Sequence, residues 1–331
     1  RNLMLRTALP RLARIQRPVR ERLEAVVDEL RRIVVADFTP IEEVNQYLLL
    51  ARGKLFRPTL LLLSNEVGGR AHPQAVTLAA VVELVHLATL VHDDAVDHSV
   101  LRRGMPTVNA LWTHQTAVIM GDYLYSRSVT ELAAVGRVEL ISVLSRAANE
   151  MSVGEMRQLS SCDALQFTED EYYRLISCKT ASLMSAACEM GAIMGDERYR
   201  TALAEYGHHL GMAFQIADDL LDYNETEAVT GKPSGHDLRE HKVTLPLIAA
   251  LTEMDAADRR DVEEYFADPE PTDAAIAHVI RLVRDYGGID YARQRAEWYG
   301  TRAAAALVTL PDGAATEALR DAVTYVIDRR R

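Results

Sequence analysis

The stretch PQAVTLAAVVELVHLATLVHDDAVD, residues 73–97, decides the fold class. Pro73 suits the first turn of a helix, and the residues after it are mostly Ala, Val, Leu and Thr without a break. A helix of this length spans about 35 Å at 1.5 Å per residue. Because the run is apolar nearly all round, it predicts the central helix of a bundle rather than a helix on the surface.

Segments with helical periodicity continue on both sides of this stretch. They cover residues 18–35, 41–51, 58–67, 115–134, 137–160, 169–194, 198–224, 243–254, 272–287, 288–309 and 314–329. Residues 225–241 carry charges together with Gly231, Pro233 and Gly235, and this composition predicts a loop. No alternating β-branched run and no Ser-, Gly- or Pro-rich linker divides the sequence. The sequence therefore predicts one all-α domain over residues 1–331, in which 1–17 form a loosely ordered first stretch.

Composition and charge exclude several classes of protein. The 331 residues carry a formal net charge of −11, so the broad positive surface that nucleic acid requires is missing. Cys162, Cys178 and Cys188 form no CxxC pair, which favours reduced thiols in the core over a disulfide framework. There is no run of about 18 consecutive apolar residues and no signal-peptide core. We therefore expect a cytoplasmic protein whose membrane contact is at most peripheral, through the basic and apolar residues 1–14.

The central helix ends in an acidic motif, His92-Asp93-Asp94-Ala95-Val96-Asp97. Helix positions i and i+4 lie on one face, so Asp93 and Asp97 can converge on one cation, with Asp94 beside them. Mg²⁺ takes such carboxylate oxygens together with water and substrate phosphate. A single motif of this kind is more often a solvated acidic turn.

The same spacing returns 125 residues later, in Asp218, Asp219 and Asp222, again at the end of an apolar helix. Six carboxylates on helices with buried faces repel and desolvate one another unless cations compensate them. The repetition therefore predicts a magnesium site rather than two solvated turns.

Three pairs of basic side chains could bind a diphosphate. Arg102 and Arg103 follow the first Asp motif, Lys232 and Lys242 lie just beyond the second, and Lys54 and Arg57 form a further pair near the start of a helix. Arg and Lys are the side chains that bind phosphate, as a planar fork and as a point charge respectively. Each of them alone would be read as a surface residue, but their positions beside the Asp motifs predict a diphosphate site.

A zinc site is the alternative use of the same region. His86, His92, Asp93 and His98 could supply ligands, but no HExxH or Cys/His spacing supports this reading. His86 by itself, on an apolar helix, is more often a core histidine. The sequence also lacks a Walker loop, a GxGxxG motif and a GxSxG motif.

Together these stretches resemble the all-trans polyprenyl diphosphate synthases, the chain-elongating prenyltransferases, and the resemblance covers nearly the whole chain. The matching stretches are Gly53-Lys54-x-x-Arg57-Pro58, Glu83-x-x-His86, the first Asp motif, Leu101-Arg102-Arg103-Gly104, Gly121-Asp122, Gly154-Glu155, Lys179-Thr180, Phe214-Gln215 with the second Asp motif, Gly231-Lys232 and Lys242-x-Thr244-Leu245-Pro246.

The resemblance implies a homodimer of helical bundles of the isoprenoid synthase type, each with a central active-site cavity. Six Asp residues of the two motifs would face each other and bind about three Mg²⁺ around an allylic diphosphate. The resemblance assigns Arg102, Lys179, Lys232 and Lys242 to that diphosphate, Lys54, Arg57, His86 and Arg103 to isopentenyl diphosphate, and Thr180 and Gln215 to the allylic cation. The implied chemistry is loss of diphosphate, attack by the homoallylic double bond and loss of a proton.

The chain departs from the family pattern at two positions. His241 replaces the usual Gly before Lys242, and Lys54-Leu55-Phe56-Arg57 lacks a second basic residue after the Lys. Neither removes a main ligand, so we expect a different geometry of the closing loop rather than a loss of activity.

The residues just before the first Asp motif indicate the product length. In this family they line the pocket into which the product grows. Thr89 and Ala88, four and five residues before Asp93, are both small. The resemblance therefore implies a product longer than farnesyl diphosphate, with a long-chain quinone precursor preferred over geranylgeranyl diphosphate.

Two further functions compete with chain elongation. A terpene cyclase needs no isopentenyl diphosphate site. The residues assigned to that site, Lys54, Arg57 and Arg103, therefore favour chain elongation over cyclisation. A non-catalytic synthase subunit would have one degraded Asp motif, and both are intact here. We interpret Gly121-Asp122 and Gly154-Glu155 as helix-contact features.

Overall fold

The computed structural model describes residues 11–51, 53–160, 164–224 and 235–328, and these form a helical bundle. The prediction of an all-α fold is confirmed. Residues 1–10 of the expected loosely ordered stretch lie outside the described ranges, while Leu12–Gln16 form a short helix. Within the described residues, strands occur only at Leu101–Arg102 (β1) and Met105–Pro106 (β2), which form an antiparallel pair.

We number the helices in chain order. They are α1 (Leu12–Gln16), α2 (Arg20–Val34), α3 (Thr39–Leu50), α4 (Phe56–Glu66), α5 (Ala75–Val96), α6 (Val108–Leu111), α7 (His114–Val135), α8 (Val138–Ser160), α9 (Glu169–Ile176), α10 (Ser182–Met194), α11 (Arg200–Asn224), α12 (His236–Arg239), α13 (Leu245–Glu253), α14 (Ala256–Ala267), α15 (Asp273–Asp285), α16 (Gly288–Ala306) and α17 (Ala314–Ile327). A π-helical turn, Ser177–Ala181, joins α9 to α10.

Helix α5 lies in the middle of the bundle, as its composition predicts. It packs against α2, α4, α7 and α10, so apolar side chains are needed on every side of it. Judged only by length and composition, α5 is the one helix in the described ranges that could cross a membrane, and 67% of its most apolar window is buried inside the protein. Here that apolar surface is covered by neighbouring helices.

The structure differs from the sequence-based expectation in several segments, which include α1, α6 and the β1–β2 pair. The predicted helix over residues 169–194 is helical throughout, but its middle turn, Ser177–Ala181, is π-helical. Helix α14 was not predicted, because only Val262 and Tyr265 on it are buried and its apolar periodicity is weak. Of the predicted loop 225–241, residues 235–241 are described, and α12 forms one helical turn there.

Candidate active site

The first Asp motif occupies the last turn of α5. Asp93 lines a cavity of about 480 Å³, and Asp97 is the exposed residue that ends the helix. Asp94 is turned away from them and is 5% exposed. Its two oxygens accept hydrogen bonds from Nε of Arg102 at 2.9 and 2.8 Å, and Arg102 Nη2 lies 2.8 Å from Oδ1. Asp94 and Arg102 therefore compensate each other's charge.

The carboxylate of Asp93 is less well compensated. Burial raises its pKa to about 6, and the negative charges of Glu155 and Asp97 add to this rise, whereas Lys179 and Arg102 lower the pKa. A partly buried acid with further acids beside it favours a bound cation.

The second Asp motif lies near the end of α11. Asp218 is exposed, whereas Asp219 is buried and accepts two side-chain hydrogen bonds, from Tyr172 Oη at 2.5 Å and from Gln215 Nε2 at 2.8 Å. The Thr180 hydroxyl donates in turn to Gln215 Oε1 at 2.8 Å. Burial raises the pKa of Asp219 well above its usual range, and these donors lower it only in part.

Asp222 holds the start of α12. Its two carboxylate oxygens accept the backbone N–H groups of His236 at 2.8 Å and of Asp237 at 3.0 Å. Burial and the nearby Asp222 raise the pKa of Asp237 to about 6, while Lys242 and His236 lower it. Sequence reasoning missed Asp237, because it lies in the predicted loop 225–241 and belongs to neither Asp motif.

Lys242 connects the first Asp motif electrostatically with the acids around α12. Burial lowers its pKa, but Glu240, Asp237 and Asp97 raise it, and the net shift is upward. One ammonium group therefore lies within electrostatic range of acids from both ends of the site. Lys242 Nζ pairs with Glu240 at 2.7 Å.

His241, the departure from the family pattern, has a left-handed backbone with φ of 54°. That conformation is the one glycine adopts at no steric cost, which accounts for the family's preference. The ring of His241 packs against Tyr265 and Phe266, with centroid separations of 5.7 and 5.5 Å. These contacts offset the backbone strain of the left-handed conformation. The turn before Lys242 therefore has the backbone conformation that a glycine would give it.

The arrangement of acids fits a divalent cation without forming a closed metal centre. In the part of the chain that the structure describes, no group of three or more His, Cys, Asp or Glu side chains is gathered in the geometry of a metal site. Asp93, Asp97 and Asp218 offer carboxylate oxygens of the kind that Mg²⁺ or Ca²⁺ takes. Asp94, Asp219 and Asp222 accept hydrogen bonds from protein donors. The role of all six Asp residues as metal ligands stays a prediction.

Lys179 lies in the π turn and faces the same cavity. Its Nζ is 2.5 Å from a carboxylate oxygen of Glu155 and donates to Gln158 Oε1 at 2.8 Å. A Cβ on Gly154 would lie 2.8 Å from the Cβ of Cys178, so this glycine lets α8 approach the π turn. Gly154 is thus a helix-contact residue, whereas Glu155 pairs with Lys179. Short π segments are frequent at functional sites.

A second basic cluster lies beside α5. Arg57 Nη1 donates to His86 Nε2 at 3.2 Å. Burial lowers the pKa of His86 well below its usual range, as do Arg57 and Arg103, so the imidazole is neutral and accepts through Nε2. A Cβ on Gly53 would lie 2.5 Å from Arg103 Nη1, so the chain before α4 passes against that guanidinium.

Glu83, which sequence reasoning named only as part of a motif, belongs to the same cluster. It is 3% exposed, and burial raises its pKa while Arg57 and Arg103 lower it.

Lys54 is exposed, and its carbonyl accepts from Gln16 Nε2 at 2.9 Å. Lys232 and Cys162 lie outside the described residues.

The cavity extends from Asp93 along α5 towards α7 and α8. Its lining residues are Val85, Ala88, Thr89, His92, Asp93, Asp122, Tyr125, Ser145, Ala148, Asn149, Met151, Ser152, Glu155 and Lys179. Ala88 and Thr89 both face it, as the chain-length argument predicts. Asp122, next to Gly121, has Oδ1 3.4 Å from His92 Nε2 and so connects α7 to α5.

Comparison with known proteins shows similarity over nearly the whole chain. The polyprenyl synthetase family model matches residues 39–283. The chain is 36% identical over 314 residues to the all-trans-nonaprenyl-diphosphate synthase (geranyl-diphosphate specific) of Rhodobacter capsulatus, covering 94% of this chain and 96% of that protein.

Two solved structures are similar in fold. A decaprenyl diphosphate synthase from Rhodobacter capsulatus has a TM-score of 0.91 at 38% identity, covering 97% of this chain and 100% of that one. A polyprenyl synthase from Caulobacter crescentus CB15, complexed with calcium and isoprenyl diphosphate, has a TM-score of 0.91 at 32% identity with the same coverage.

Proposed function

Because the chain belongs to the polyprenyl synthetase family, we propose that it condenses isopentenyl diphosphate with an allylic diphosphate to make an all-trans polyprenyl diphosphate longer than farnesyl diphosphate. The observation that carries this proposal is the cavity below Asp93, in which acidic and basic side chains lie at one end and Ala88 leaves the passage open. The names of the two Rhodobacter capsulatus relatives, a nonaprenyl and a decaprenyl diphosphate synthase, support a long product.

The acidic end of the cavity would hold the allylic diphosphate through Mg²⁺. Asp93 lines the cavity and Asp97 and Asp218 are exposed, so these carboxylates would serve as ligands, and the calcium complex of the Caulobacter crescentus relative supports a divalent ion here. When bound, the metal supplies charge neutralisation for the leaving diphosphate. Lys179, which pairs with Glu155 in this structure, would bind a phosphate oxygen instead. Arg102, Lys232 and Lys242 would supply further positive charge to the diphosphate.

The polar pair Thr180 and Gln215 would stabilise the positive charge that develops on the allylic carbon. Oε1 of Gln215 accepts from the Thr180 hydroxyl, so both oxygen dipoles are held in fixed positions. Preorganised dipoles need no rearrangement when charge develops, which is why they lower the barrier.

The cluster of Arg57, His86, Arg103 and Lys54 would bind the diphosphate of isopentenyl diphosphate. Neutral His86 orients the Arg57 guanidinium by accepting from Nη1, and the positive charges of Arg57 and Arg103 act on buried Glu83, whose pKa they lower against the effect of burial. A planar guanidinium held in this way presents two donors to a phosphate. This second anion pocket favours chain elongation over terpene cyclisation, which ionises a single substrate.

We extend the proposal to a cytoplasmic homodimer. Apolar side chains are exposed on α7 and α8, namely Val118, Ile119, Val129, Val138, Val153, Met156 and Leu159. A second copy of the chain, docked on this face, would remove them from water.

The test is incubation with labelled isopentenyl diphosphate and geranyl, farnesyl or geranylgeranyl diphosphate, with Mg²⁺ and with a chelator. We expect Mg²⁺-dependent products longer than farnesyl when they are sized by chromatography. A product that stops at twenty carbons would make the chain a geranylgeranyl diphosphate synthase. Cyclised hydrocarbon made without isopentenyl diphosphate would contradict the proposal.

A further inference from the structure

Tyr172, on α9, contacts Asp219 of the second Asp motif. It is 2% exposed, and its hydroxyl lies 2.5 Å from Asp219 Oδ2. Its neighbour Tyr173 serves a different group, since it donates to Glu169 at 2.6 Å. Two adjacent tyrosines therefore point to different parts of the protein, and only Tyr172 reaches the motif.

The contact is one end of a continuous chain of hydrogen bonds between four side chains. Thr180 donates to Gln215 Oε1 at 2.8 Å, Gln215 Nε2 donates to Asp219 Oδ1 at 2.8 Å, and Tyr172 donates to Asp219 Oδ2. Asp219 Oδ1 accepts from Nε2, so Gln215 turns its NH₂ group towards Asp219. The amide oxygen then faces Thr180, which is the orientation that the proposed cation stabilisation needs.

The choice of acceptor distinguishes Tyr172 from other buried tyrosines of this chain. Tyr206, which is fully buried, donates to the backbone carbonyl of Leu319 at 2.7 Å, and Tyr265 donates to that of Leu238 at 2.6 Å. Those contacts tie one helix to another segment. Tyr172 instead donates to the buried carboxyl group of a residue of the proposed active site.

We propose that Tyr172 is a positioning residue for the allylic end of the site: it anchors Asp219, and through Asp219 it holds Gln215 in the orientation that serves the substrate. The proposal rests on the proposed function. Without the hydroxyl, Asp219 Oδ2 would be buried without this donor, and the side chain would turn towards other donors. Gln215 would lose its partner at Nε2. Asp218, which precedes Asp219 on α11, would move with it.

The test compares Tyr172→Phe with Tyr206→Phe, which also loses one buried hydrogen bond but lies away from the site. Binding of a non-ionisable thio-analogue of farnesyl diphosphate with Mg²⁺ is measured by isothermal titration calorimetry, and Tm is measured without ligand. We expect Tyr172→Phe to bind the analogue about tenfold more weakly and to need more Mg²⁺ for half-maximal binding. Tyr206→Phe should bind like wild type, although its Tm falls as well.

A double variant tests whether Tyr172 acts through Asp219. Tyr172→Phe added to Asp219→Asn should weaken binding no further than Asp219→Asn alone, because the shared contact is already lost. The double variant also replaces the buried carboxyl group that Tyr172→Phe leaves without its donor, so it serves if the single variant does not fold.

Three outcomes would overturn the inference: wild-type affinity in Tyr172→Phe, equal weakening in Tyr206→Phe, or full additivity in the double variant. The proposed function fails separately, if the wild-type protein itself does not bind the analogue with Mg²⁺.

Discussion

The six carboxylates of the two motifs lie in different surroundings. Asp94 and Asp219 are buried and Asp222 is half-buried, and all three accept hydrogen bonds from protein donors. Asp93 lines the cavity, and Asp97 and Asp218 are exposed. A carboxylate that faces a cavity or solvent can reach a bound ion, so we test these three positions as metal ligands.

The first prediction concerns Asp93 and Asp218. Asp93→Ala or Asp218→Ala should lower turnover by about two to three orders of magnitude, because each removes a ligand from a cooperative metal site. The measurement is steady-state turnover as a function of Mg²⁺ concentration. Asp290→Ala, a change at an exposed acid in the first turn of α16, is the control and should leave turnover unchanged. Near-normal turnover in either motif variant would remove the basis of the metal assignment.

The second prediction separates the two diphosphate pockets. Arg57→Ala should mainly raise the KM for isopentenyl diphosphate, because it removes the guanidinium oriented by His86. Lys179→Ala should instead impair the allylic substrate or its ionisation. Kinetics with each substrate varied in turn provide the measurement. If both variants affect both substrates equally, the division into two pockets is wrong.

The third prediction concerns acid sensitivity. The pKa of His86 is lowered in the folded protein by burial and the adjacent arginines, so below about pH 6.5 the unfolded chain takes up a proton that the folded chain does not. Stability should therefore fall with decreasing pH, by up to about 1.4 kcal/mol per pH unit from this residue.

His86→Gln keeps an acceptor for Arg57 and removes this titration. The difference in unfolding free energy between wild type and variant, measured with denaturant from pH 7.5 to 5, should shift in favour of the variant as the pH falls. A difference that does not change with pH would contradict the assignment of a neutral His86.

At the scale of elements, α5 supplies both the first motif and one wall of the cavity. Ala88 lies five residues before Asp93, which is more than one helical turn deeper along that wall. Helices α7 and α8 supply the opposite wall through Tyr125 and Met151. The free passage therefore depends on side-chain size on three helices.

The fourth prediction is that Ala88→Phe shortens the product. The added ring fills the passage, and an apolar tail can pass it only by displacing packed neighbours, which commonly costs about 1–3 kcal/mol. The first condensation occurs at the acidic end, so isopentenyl diphosphate should still be consumed with a short primer. Product length is measured by chromatography, with Val76→Phe, nearer the start of α5, as the control. Equal product lengths in wild type and Ala88→Phe would show that Ala88 does not limit the chain.

At the scale of the whole molecule, the exposed apolar face of α7 and α8 decides the expected assembly. Ile119 is 59% exposed and Val129 is 38% exposed, although both are large apolar residues on long helices. Exposed groups of this kind commonly mark an interface.

The fifth prediction is that Ile119→Glu converts a dimer into a monomer, because it would bury a charge in the interface. Light scattering coupled to size-exclusion chromatography measures the mass. Val308→Glu, at a residue that is 78% exposed beyond α16, should leave the mass unchanged. A wild-type monomer, or an Ile119→Glu dimer, would contradict the assigned interface.

Helix positions and the face shared by Asp93 and Asp97 follow from the sequence alone, because a period of 3.6 residues is a local property of the chain. The central place of α5 follows as well, since a helix that is apolar on every side must be buried. Weak periodicity hid α14, and no local signal marks the π turn at Lys179.

Only the tertiary structure decides which donors each carboxylate meets and how deeply it is buried. Asp219 accepts from Tyr172, which is 47 residues away, and Asp222 accepts from backbone groups 14 and 15 residues away. Spacing in the sequence makes the six acids look equivalent. Their differences arise because burial and hydrogen-bond donors are supplied by other elements of the bundle, whose positions depend on packing between helices rather than on local sequence.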